Sequence, residues 1–586
     1  RVDMYPTRQL IRYYFNGKLY GERQLSHPTD PTLTDGKLTL FTEGEVRVDF
    51  CDFTCRPAEA PHREYIIPTK PWKPRDFETL FPRSEVPANE IFLIQMEGLS
   101  LEDYMTAVTL QGLVNRTSPR LYVHSGKYND RFASGHTTEW YKLLEEKGRK
   151  IIECSLDEAL IRFSDCYRGF ILGTLRPEGN TSFEINMVTM LAGVEDSIYV
   201  SRDRSALMDA TLPRIDIDGR WTSDIEAYTW ARDHLWPRCH PAVLCHMYGD
   251  CDMHFTEPCR DYLVQHKIFV FNSSDVTNED DYHFYFDLLA LTPPNTPVLG
   301  IACRNGESLH DGVLDEDSLF RACAELGKYF VYTFSVDNAS VMSGLEHGPL
   351  HQKPYESMIY DKNKTYISFL LSEGENYAWA YHLWNNSYRH PSREGVHKGW
   401  SNAGAMYFLA PAALEWYYKN ASSWDAWYLD GNGIGDIYNP DIFALRLPKE
   451  LRQPAWEEYL ALTREVMRRM DISVIRLFDA NYSVTDEAVR EYLKAIPEIT
   501  AVFTGYNSEP DADKFPAPQY LLDGVPVFRT RVISQVPTYK PDVDGQVLLD
   551  GILKEMEKDG GPTFVNVFVL VNYMLVNGSM VLHYVQ

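Results

Sequence analysis

The sequence is poor in basic residues and has no long apolar run. Its 586 residues include 57 Lys and Arg against 83 Asp and Glu, which gives a net charge of -26 at pH 7. Such a charge argues against nucleic acids and anionic membranes as partners. No run reaches the ~18 apolar residues that span a bilayer, so the sequence predicts no transmembrane segment. No basic stretch followed by an apolar one opens the chain, so any signal peptide has been removed or was never present.

Cysteine is used unevenly, because all ten cysteines lie between Cys51 and Cys323. No two of them form a C-x-x-C pair, which argues against a zinc ribbon or a thioredoxin-type site. Four cysteines and three histidines crowd the range 239–259. Their spacing fits no zinc class, so we expect buried free thiols there. No G-x-G-x-x-G or Walker sequence follows a predicted strand. We therefore expect no metal and no cofactor.

The first 345 residues divide into three parts. Residues 1–62 are β-rich, with a predicted hairpin over 37–50. Prolines crowd residues 63–89, which predicts a linker. Over 90–345, short apolar runs alternate with helical patterns, which is typical of a layered, mostly parallel α/β domain.

Residues 346–586 form a second series of strands and helices. Seven strand candidates fall within roughly 220 residues, with helical stretches between several of them. The strand candidates are 366–371, 405–409, 426–429, 473–478, 500–504, 525–529 and 564–571, and the helical stretches are 411–419, 455–469 and 485–494. This number and order predict a TIM-like (β/α)7-8 barrel as the C-terminal domain of an α/β protein.

Two of these strands end in turns that are rich in acids, amides and glycine. The run 366–371 leads into Ser-Glu-Gly-Glu-Asn at 372–376, and the run 426–429 leads into the glycine-containing stretch 430–440. In parallel barrels the chemistry collects at the carboxyl ends of strands, because loops there can vary without disturbing the core. The sequence therefore predicts an active site at these turns.

Several segments together resemble one family, the GxGYxYP proteins, which are described as putative glycoside hydrolases. The matching segments are 99–116 and 119–122 in the first α/β domain, and the acidic turn 372–376, Gly399-Trp400, Pro411 with Tyr417-Tyr418 and the glycine motif 433–440 in the second. The resemblance covers about residues 90–575. It implies an N-terminal α/β domain followed by a barrel-like catalytic domain.

Two motifs depart from the family pattern. The glycine motif reads Gly-Ile-Gly-Asp-Ile-Tyr-Asn-Pro, with Asp436 where the family has Tyr and with Asn439 inserted before the proline. The acidic turn resembles the family's Ser-Asp-Gly-Asp-Asn, but Glu373 and Glu375 are each one methylene longer. These changes argue against a substrate that is shared across the family.

Glycoside hydrolysis requires two carboxylates that flank the glycosidic oxygen, ~5–5.5 Å apart for retention and ~6.5–9.5 Å apart for inversion. Four acids lie at predicted strand ends, namely Glu373, Glu375, Asp430 and Asp479. An extended backbone would point Glu373 and Glu375 to the same side. The alternative for each acid is that it caps a helix or holds loop amides. We predict that the catalytic pair comes from these four.

Sugar rings stack on aromatic side chains through their apolar faces, while their hydroxyls need convergent polar groups. Six of the twelve tryptophans fall between 379 and 427. Trp379 and Trp400 lie near predicted loops and could form a platform, whereas Trp416 and Trp427 are expected in the core. The predicted substrate-binding residues are Asn376, Trp379, Trp400, Asn432, Asp436 and Tyr438.

The stretch from Asp430 partly matches a calcium loop, but Ile434 occupies a ligand position and no helix leads in. A glycine turn that brings the backbone close to a ligand is favoured instead. The main hypothesis is a glycoside hydrolase acting on a poly- or oligosaccharide. The alternatives are a non-catalytic carbohydrate-binding or scaffold protein on a degenerate barrel and, with weaker support, a metal-dependent sugar deacetylase. We expect a soluble protein that is secreted or held in the cell envelope, with a carbohydrate as its substrate or ligand.

Overall fold

The structure is a computed structural model of the whole chain. The residues that it describes are 2–5, 10–15, 18–24, 72–96, 100–124, 140–175, 183–247, 259–272, 279–301, 313–334, 336–354, 359–372, 376–382, 388–389, 393–477, 484–505, 519–533, 541–570, 575–576 and 579–580. Within these ranges, every helix is too short or too polar to cross a bilayer.

The chain begins with a small antiparallel sheet, in which β1 (Val2–Tyr5), β2 (Leu10–Phe15) and β3 (Lys18–Gln24) pair in sequence order. This part of the chain is β-rich, as the sequence predicts, but the predicted hairpin over 37–50 lies outside the described residues. The second half of the proline-rich linker packs against later parts of the chain. The Trp72 indole donates to Glu458 over 2.6 Å, and the Arg75 guanidinium donates to the Ala242 carbonyl over 2.7 Å.

Three separate parallel sheets make up the α/β region that follows. Its strands are β4 (Glu90–Gln95), β5 (Leu121–His124), β6 (Lys150–Glu153), β7 (Gly169–Leu172), β8 (Ser197–Tyr199), β9 (Arg214–Asp216), β10 (Leu244–His246), β11 (Phe269–Phe271), β12 (Pro297–Gly300) and β13 (Tyr329–Tyr332). The strand orders are β5-β4-β6, β8-β7-β9 and β11-β10-β12-β13. The prediction of a layered, mostly parallel α/β arrangement is confirmed.

Nine helices among the described residues accompany these strands. They are α1 (Leu101–Val114), α2 (Tyr141–Glu146), α3 (Leu156–Arg162), α4 (Phe183–Glu195), α5 (Asp224–His234), α6 (Arg260–Gln265), α7 (Glu279–Leu289), α8 (Val313–Glu325) and α9 (Ala339–Met342). The start of α1 shows how the sequence sets a boundary. The Ser100 hydroxyl accepts from the Asp103 amide, which is the N-cap bond that satisfies a free amide of the first turn.

Seven parallel strands close into a barrel in the C-terminal domain. They are β14 (Tyr366–Ser372), β15 (Lys398–Asn402), β16 (Asp425–Leu429), β17 (Val474–Leu477), β18 (Ala501–Thr504), β20 (Val525–Ile533) and β21 (Phe564–Leu570). They pair around the ring in sequence order, and β21 returns to β14. One further strand, β19 (Gln519–Leu522), pairs antiparallel with β20. The TIM-like barrel is confirmed, with seven staves.

The predicted strand over 405–409 was wrong. That run contains a short helix over Met406–Leu409, and the second stave of the barrel is instead β15. The sequence of β15 contains Lys398, Gly399 and Asn402, which have low strand propensity. Tertiary contacts stabilise the strand despite this composition, because the buried Lys398 ammonium lies 3.4 Å from the Asp425 carboxylate of the neighbouring strand β16.

The helices of the barrel domain are α10 (Asn376–His382), α11 (Met406–Leu409), α12 (Pro411–Lys419), α13 (Lys449–Arg469), α14 (Asp486–Ala495) and α15 (Pro541–Asp559). The glycine in β15 lets a large ring cross the inside of the barrel. A Cβ on Gly399 would lie 3.0 Å from both Leu370 of β14 and the Tyr428 ring of β16. The Tyr428 hydroxyl thereby reaches over β15 and donates to the Leu371 carbonyl over 3.1 Å.

The third α/β sheet contains a fully buried histidine. His246 ends β10, is fully buried, and has its Nδ1 2.6 Å from the Ile301 carbonyl oxygen. Burial lowers the pKa of His246 to about 4 from an ordinary value of 6.5. The folded chain therefore binds this proton less tightly than the unfolded chain does.

We predict that this histidine contributes to acid destabilisation. Above about pH 6.5 it is neutral in both states, and as the pH falls toward 4 its protonation favours unfolding, by about 3 kcal/mol in total. His246→Gln should reduce the drop in urea midpoint between pH 7 and pH 4.5, measured by tryptophan fluorescence. His234→Gln, on an exposed histidine, is the control and should leave the drop unchanged. An equal drop in the parent and His246→Gln would contradict the prediction.

Candidate active site

The carboxyl ends of the barrel strands meet around a buried acid. Ser372 ends β14, Asn402 ends β15, and Asp430 directly follows β16. All of the staves are parallel, so these ends lie on the same rim of the barrel. In the sequence, Glu373 directly follows β14 and Asp479 lies two residues after β17, two of the strands that end on this rim.

Asp430 forms an ion pair inside the barrel with Arg476 of β17. One guanidinium nitrogen, Nη1, lies 2.8 Å from Oδ1 and 2.9 Å from Oδ2 of the carboxylate. Both residues are only 1% exposed. The pair reaches across the interior, because the same Nη1 is 3.3 Å from the Ser372 hydroxyl on a strand two places beyond β16. At this burial, each charge requires the other.

Three further groups contact the Asp430 carboxylate. The Ser372 hydroxyl donates to Oδ2 through a short hydrogen bond, and the Gly431 amide donates to Oδ1 over 2.9 Å. The Tyr428 hydroxyl shares its one proton between the Leu371 carbonyl, 3.1 Å away, and Oδ2, 3.4 Å away. Burial, and then the neighbouring Asp430 charge, raises the pKa of Tyr428 well above its ordinary value of 10.0. The phenol therefore stays protonated at neutral pH and can act as a donor.

Arg476 continues the polar network to the other side of the barrel. Its guanidinium carbon lies 4.2 Å from the centre of the Phe568 ring of β21, and Nη2 is 3.4 Å from the Gly505 carbonyl beyond β18. The same carbonyl accepts from the Thr530 hydroxyl over 3.1 Å. Asn566 of β21 donates to Thr530 over 3.4 Å. The interior of the barrel is thus polar and charged near the carboxyl ends of its strands.

Two family models match the chain. One, described as the GxGYxYP putative glycoside hydrolase C-terminal domain, matches residues 363–577, and the other, described as the GxGYxYP third domain, matches residues 241–344. Together they cover more than half of the chain. The chain belongs to the GxGYxYP family. We use "third domain" below for residues 241–344.

A solved structure shares the fold of this GxGYxYP protein. It is the crystal structure of a protein from Bacteroides thetaiotaomicron VPI-5482 that is described as a putative hydrolase. The two chains are 19% identical and superpose with a TM-score of 0.67, over 88% of this chain and 94% of that chain. At this identity the likeness shows the fold alone. No curated protein matches the sequence.

Of the four predicted catalytic acids, the structure places Asp430. Glu373, Glu375 and Asp479 lie outside the described residues. The predicted substrate-binding residue Asn376 begins α10, but its side chain is also outside the description. The role of these four residues stays a prediction.

Both tryptophans of the predicted platform are packed inside the protein. Trp400 lies within β15 and is fully buried, and its indole donates to Asp425 over 2.8 Å. Trp379 lies within α10, is 3% exposed, and packs edge-on against Phe334 of the third domain. Neither ring presents an open face in this structure. The expectation that these two rings lie near loops was wrong, because Trp400 lies within a strand and Trp379 within a helix. The strand that contains Trp400 was missed because the second stave was predicted at 405–409.

The predicted binding residues of the GxGYxYP motif are also held by the protein. The Asn432 side-chain amide donates to the Ile437 carbonyl over 2.7 Å, and Asp436 exchanges two backbone hydrogen bonds with Phe330 of β13. The Tyr438 ring packs edge-on against Phe320, 5.7 Å between ring centres. All three are at most 5% exposed. A role for them in sugar binding stays a prediction.

Two polar residues on the barrel strands escaped the sequence reasoning. Arg476 stands within the apolar run Val-Ile-Arg-Leu, and a charged residue at such a position signals a buried partner. Asn402 was missed because the strand that it ends was assigned elsewhere. It is 1% exposed, and within the described structure neither its side-chain oxygen nor its nitrogen has a hydrogen-bond partner.

The described residues hold no candidate metal centre. Among them, no group of three or more His, Cys, Asp or Glu side chains is arranged to hold an ion. In the predicted thiol cluster, Cys245 and Cys259 are buried and Cys239 is partly buried, all as free thiols, while Cys251 is outside the description. The expectation of buried free thiols is confirmed for Cys245 and Cys259.

We predict that Asp430 and Arg476 stabilise the barrel only as a pair. Arg476→Met leaves a buried carboxylate without its cation and should lower the free energy of unfolding by about 3–5 kcal/mol. The double variant Asp430→Asn with Arg476→Met should lose less than the sum of the two single changes. Urea denaturation of the four proteins gives the coupling. Arg464→Met breaks an exposed pair with Glu498 and is the control, with little change expected. Simple additivity would contradict a buried pair.

Proposed function

We propose that the chain is a glycoside hydrolase that cleaves a poly- or oligosaccharide with two carboxylates at the rim of the barrel. The observation that supports this most is the charged interior at the carboxyl ends of the strands, built on Asp430, Arg476 and Ser372. Family membership supports the same reaction class, since the matching C-terminal model is described as a putative glycoside hydrolase domain. Fold alone would not, because barrels host many chemistries.

We assign the four acids two different roles within this proposal. Asp430 is buried and already accepts from Arg476, Ser372, Tyr428 and Gly431. Those donors occupy the roughly four lone-pair sites of a carboxylate, so Asp430 suits a positioning role better than contact with a sugar. The acid and the nucleophile or base then come from Glu373, Glu375 and Asp479. One of them would need a raised pKa to donate a proton to the leaving oxygen.

A second function is favoured by one observation, the full coordination of the Asp430 carboxylate. If the acidic turns do not supply a catalytic pair, the same rim would bind a carbohydrate without cleaving it. The two functions differ in turnover and share the ligand class.

The experiment separates binding from turnover. The parent protein is incubated with p-nitrophenyl α- and β-glycosides of the common hexoses, pentoses and N-acetylhexosamines, and with soluble polysaccharides. Nitrophenolate and reducing-end release measure turnover, and retention in affinity gels measures binding. We predict that Glu375→Gln lowers release by at least about 10²-fold and retains binding, because a glutamine keeps the shape but cannot transfer the proton.

Glu90→Gln, an exposed acid paired with Lys150, is the matched control and should keep full activity. Retention of a glycan with no release by the parent would support the carbohydrate-binding alternative. Neither retention nor release from any member of the panel would reject both functions.

A further inference from the structure

The loop that follows Asp430 lies between the barrel and the third domain. Asp436 and Phe330 of β13 form an antiparallel β-bridge. The Phe330 amide donates to the Asp436 carbonyl over 2.7 Å, and the Asp436 amide donates to the Phe330 carbonyl over 2.8 Å. These hydrogen bonds join the two domains through backbone amides and carbonyls, which are present whatever side chain stands at either position.

The glycines of this loop are required by neighbouring protein atoms. A Cβ on Gly435 would overlap the Tyr329 ring and lie 2.9 Å from the Phe330 carbonyl oxygen. A Cβ on Gly433 would lie 2.6 Å from the Tyr459 hydroxyl of α13. Gly435 does not need a left-handed backbone, so its small size, and the close approach of β13 that it permits, is the reason for glycine there.

The other side of the loop is fixed to the barrel helices. The Tyr459 hydroxyl donates to the Gly435 carbonyl over 2.9 Å, and the Ile434 amide lies 3.2 Å from the Thr463 hydroxyl, which accepts from it. The Tyr492 hydroxyl of α14 donates to the Asn432 carbonyl over 2.5 Å. The loop is therefore rigidly presented to β13 as one face of the barrel domain.

The contact with the third domain continues beyond the motif. The Ala444 amide donates to the Ala324 carbonyl and the Arg446 amide to the Glu325 carbonyl, each over 2.8 Å. The Arg446 guanidinium also pairs with the Glu325 carboxylate, whose side chain is 2% exposed. Two backbone connections and a mostly buried ion pair at the end of α8 extend the same surface.

We propose that the segment from Gly431 to Arg446, which contains the family's glycine motif, is a docking surface for β13 and the end of α8 of the third domain. The lack of a side chain on Gly435 admits the β13 backbone, because a Cβ there would overlap the Tyr329 ring and would leave no room for a ligand between them. The contacts with β13 begin at Gly435, and the Ile437 amide of the docked segment donates to the Gly431 carbonyl over 3.2 Å. Docking therefore also restrains the backbone that donates the Gly431 amide to the Asp430 carboxylate. The inference rests on described contacts and does not depend on the proposed hydrolase activity.

Hydrogen exchange of Gly435→Ala tests the docking surface. The added methyl group should push β13 away, so the amides of Phe330 and Asp436 should exchange at least about tenfold faster than in the parent. Gly561→Ala is the matched control, because nothing lies within 4 Å of its added Cβ, and it should exchange like the parent. If Gly435→Ala fails to fold, Arg446→Met removes one docking contact without adding bulk and should speed exchange at residues 324–330 and 436–446.

Three results would overturn the proposal. The first is rapid exchange of the Phe330 and Asp436 amides in the parent protein. The second is exchange in both Gly435→Ala and Arg446→Met that matches the parent. The third is a Gly435→Ala protein that exchanges normally but loses retention of a glycan that the parent binds, which would make the segment a ligand loop. Failure of the parent to bind or cleave any glycan would count against the proposed function and leave this exchange test intact.

Discussion

Asp430 and Arg476 carry opposite charges inside a closed barrel, where each is 1% exposed and water cannot solvate either alone. Removing one partner of such a pair costs more than the pair contributes over an apolar replacement, so the two residues constrain each other strongly. Their constraint is also geometric. Asp430 follows β16, Arg476 belongs to β17, and Ser372 ends β14, so one set of hydrogen bonds fixes three strand ends relative to one another. Glu373 and Asp479 follow β14 and β17 in the sequence, so this buried network fixes the strand ends that precede them.

Much of the fold could be predicted because its strands are short apolar runs between turns. The runs at 329–332 and 366–371 are read directly as strands, and α12 begins and ends at the predicted residues. The second stave could not be predicted in the same way. Its Lys398 and Asn402 resemble loop residues, and its place in the sheet is decided by pairing with β14 and β16 and by the buried Asp425 carboxylate. The strand propensity of residues near Lys398 carries no information about its partner Asp425, which lies 27 residues later in the sequence.

The candidate site was likewise predictable in part. The position of Asp430 at the end of a strand could be predicted, because the strand before it is apolar and the residues after it form a turn. Its coordination could not, since Arg476 lies 46 residues later and meets it only when the barrel closes. For the aromatic residues, the chemistry was predicted correctly but the location was not. Trp379 and Trp400 have the chemistry of a sugar platform, but a large ring gains more from burial than from exposure when a neighbouring domain covers it, as Phe334 covers Trp379.

The loop after Asp430 is held from two directions, by Arg476 through the carboxylate inside the barrel and by β13 through the backbone outside it. This arrangement bears on the residue at position 436, where this chain has Asp and the family has Tyr. The Asp436 side chain occupies the space that a Cβ on Gly431 would need, so the residue found there is coupled to how the loop folds back on itself against the third domain. A change of Tyr to Asp at that position therefore acts on packing within the loop, because the contact with β13 is made by the backbone of residue 436.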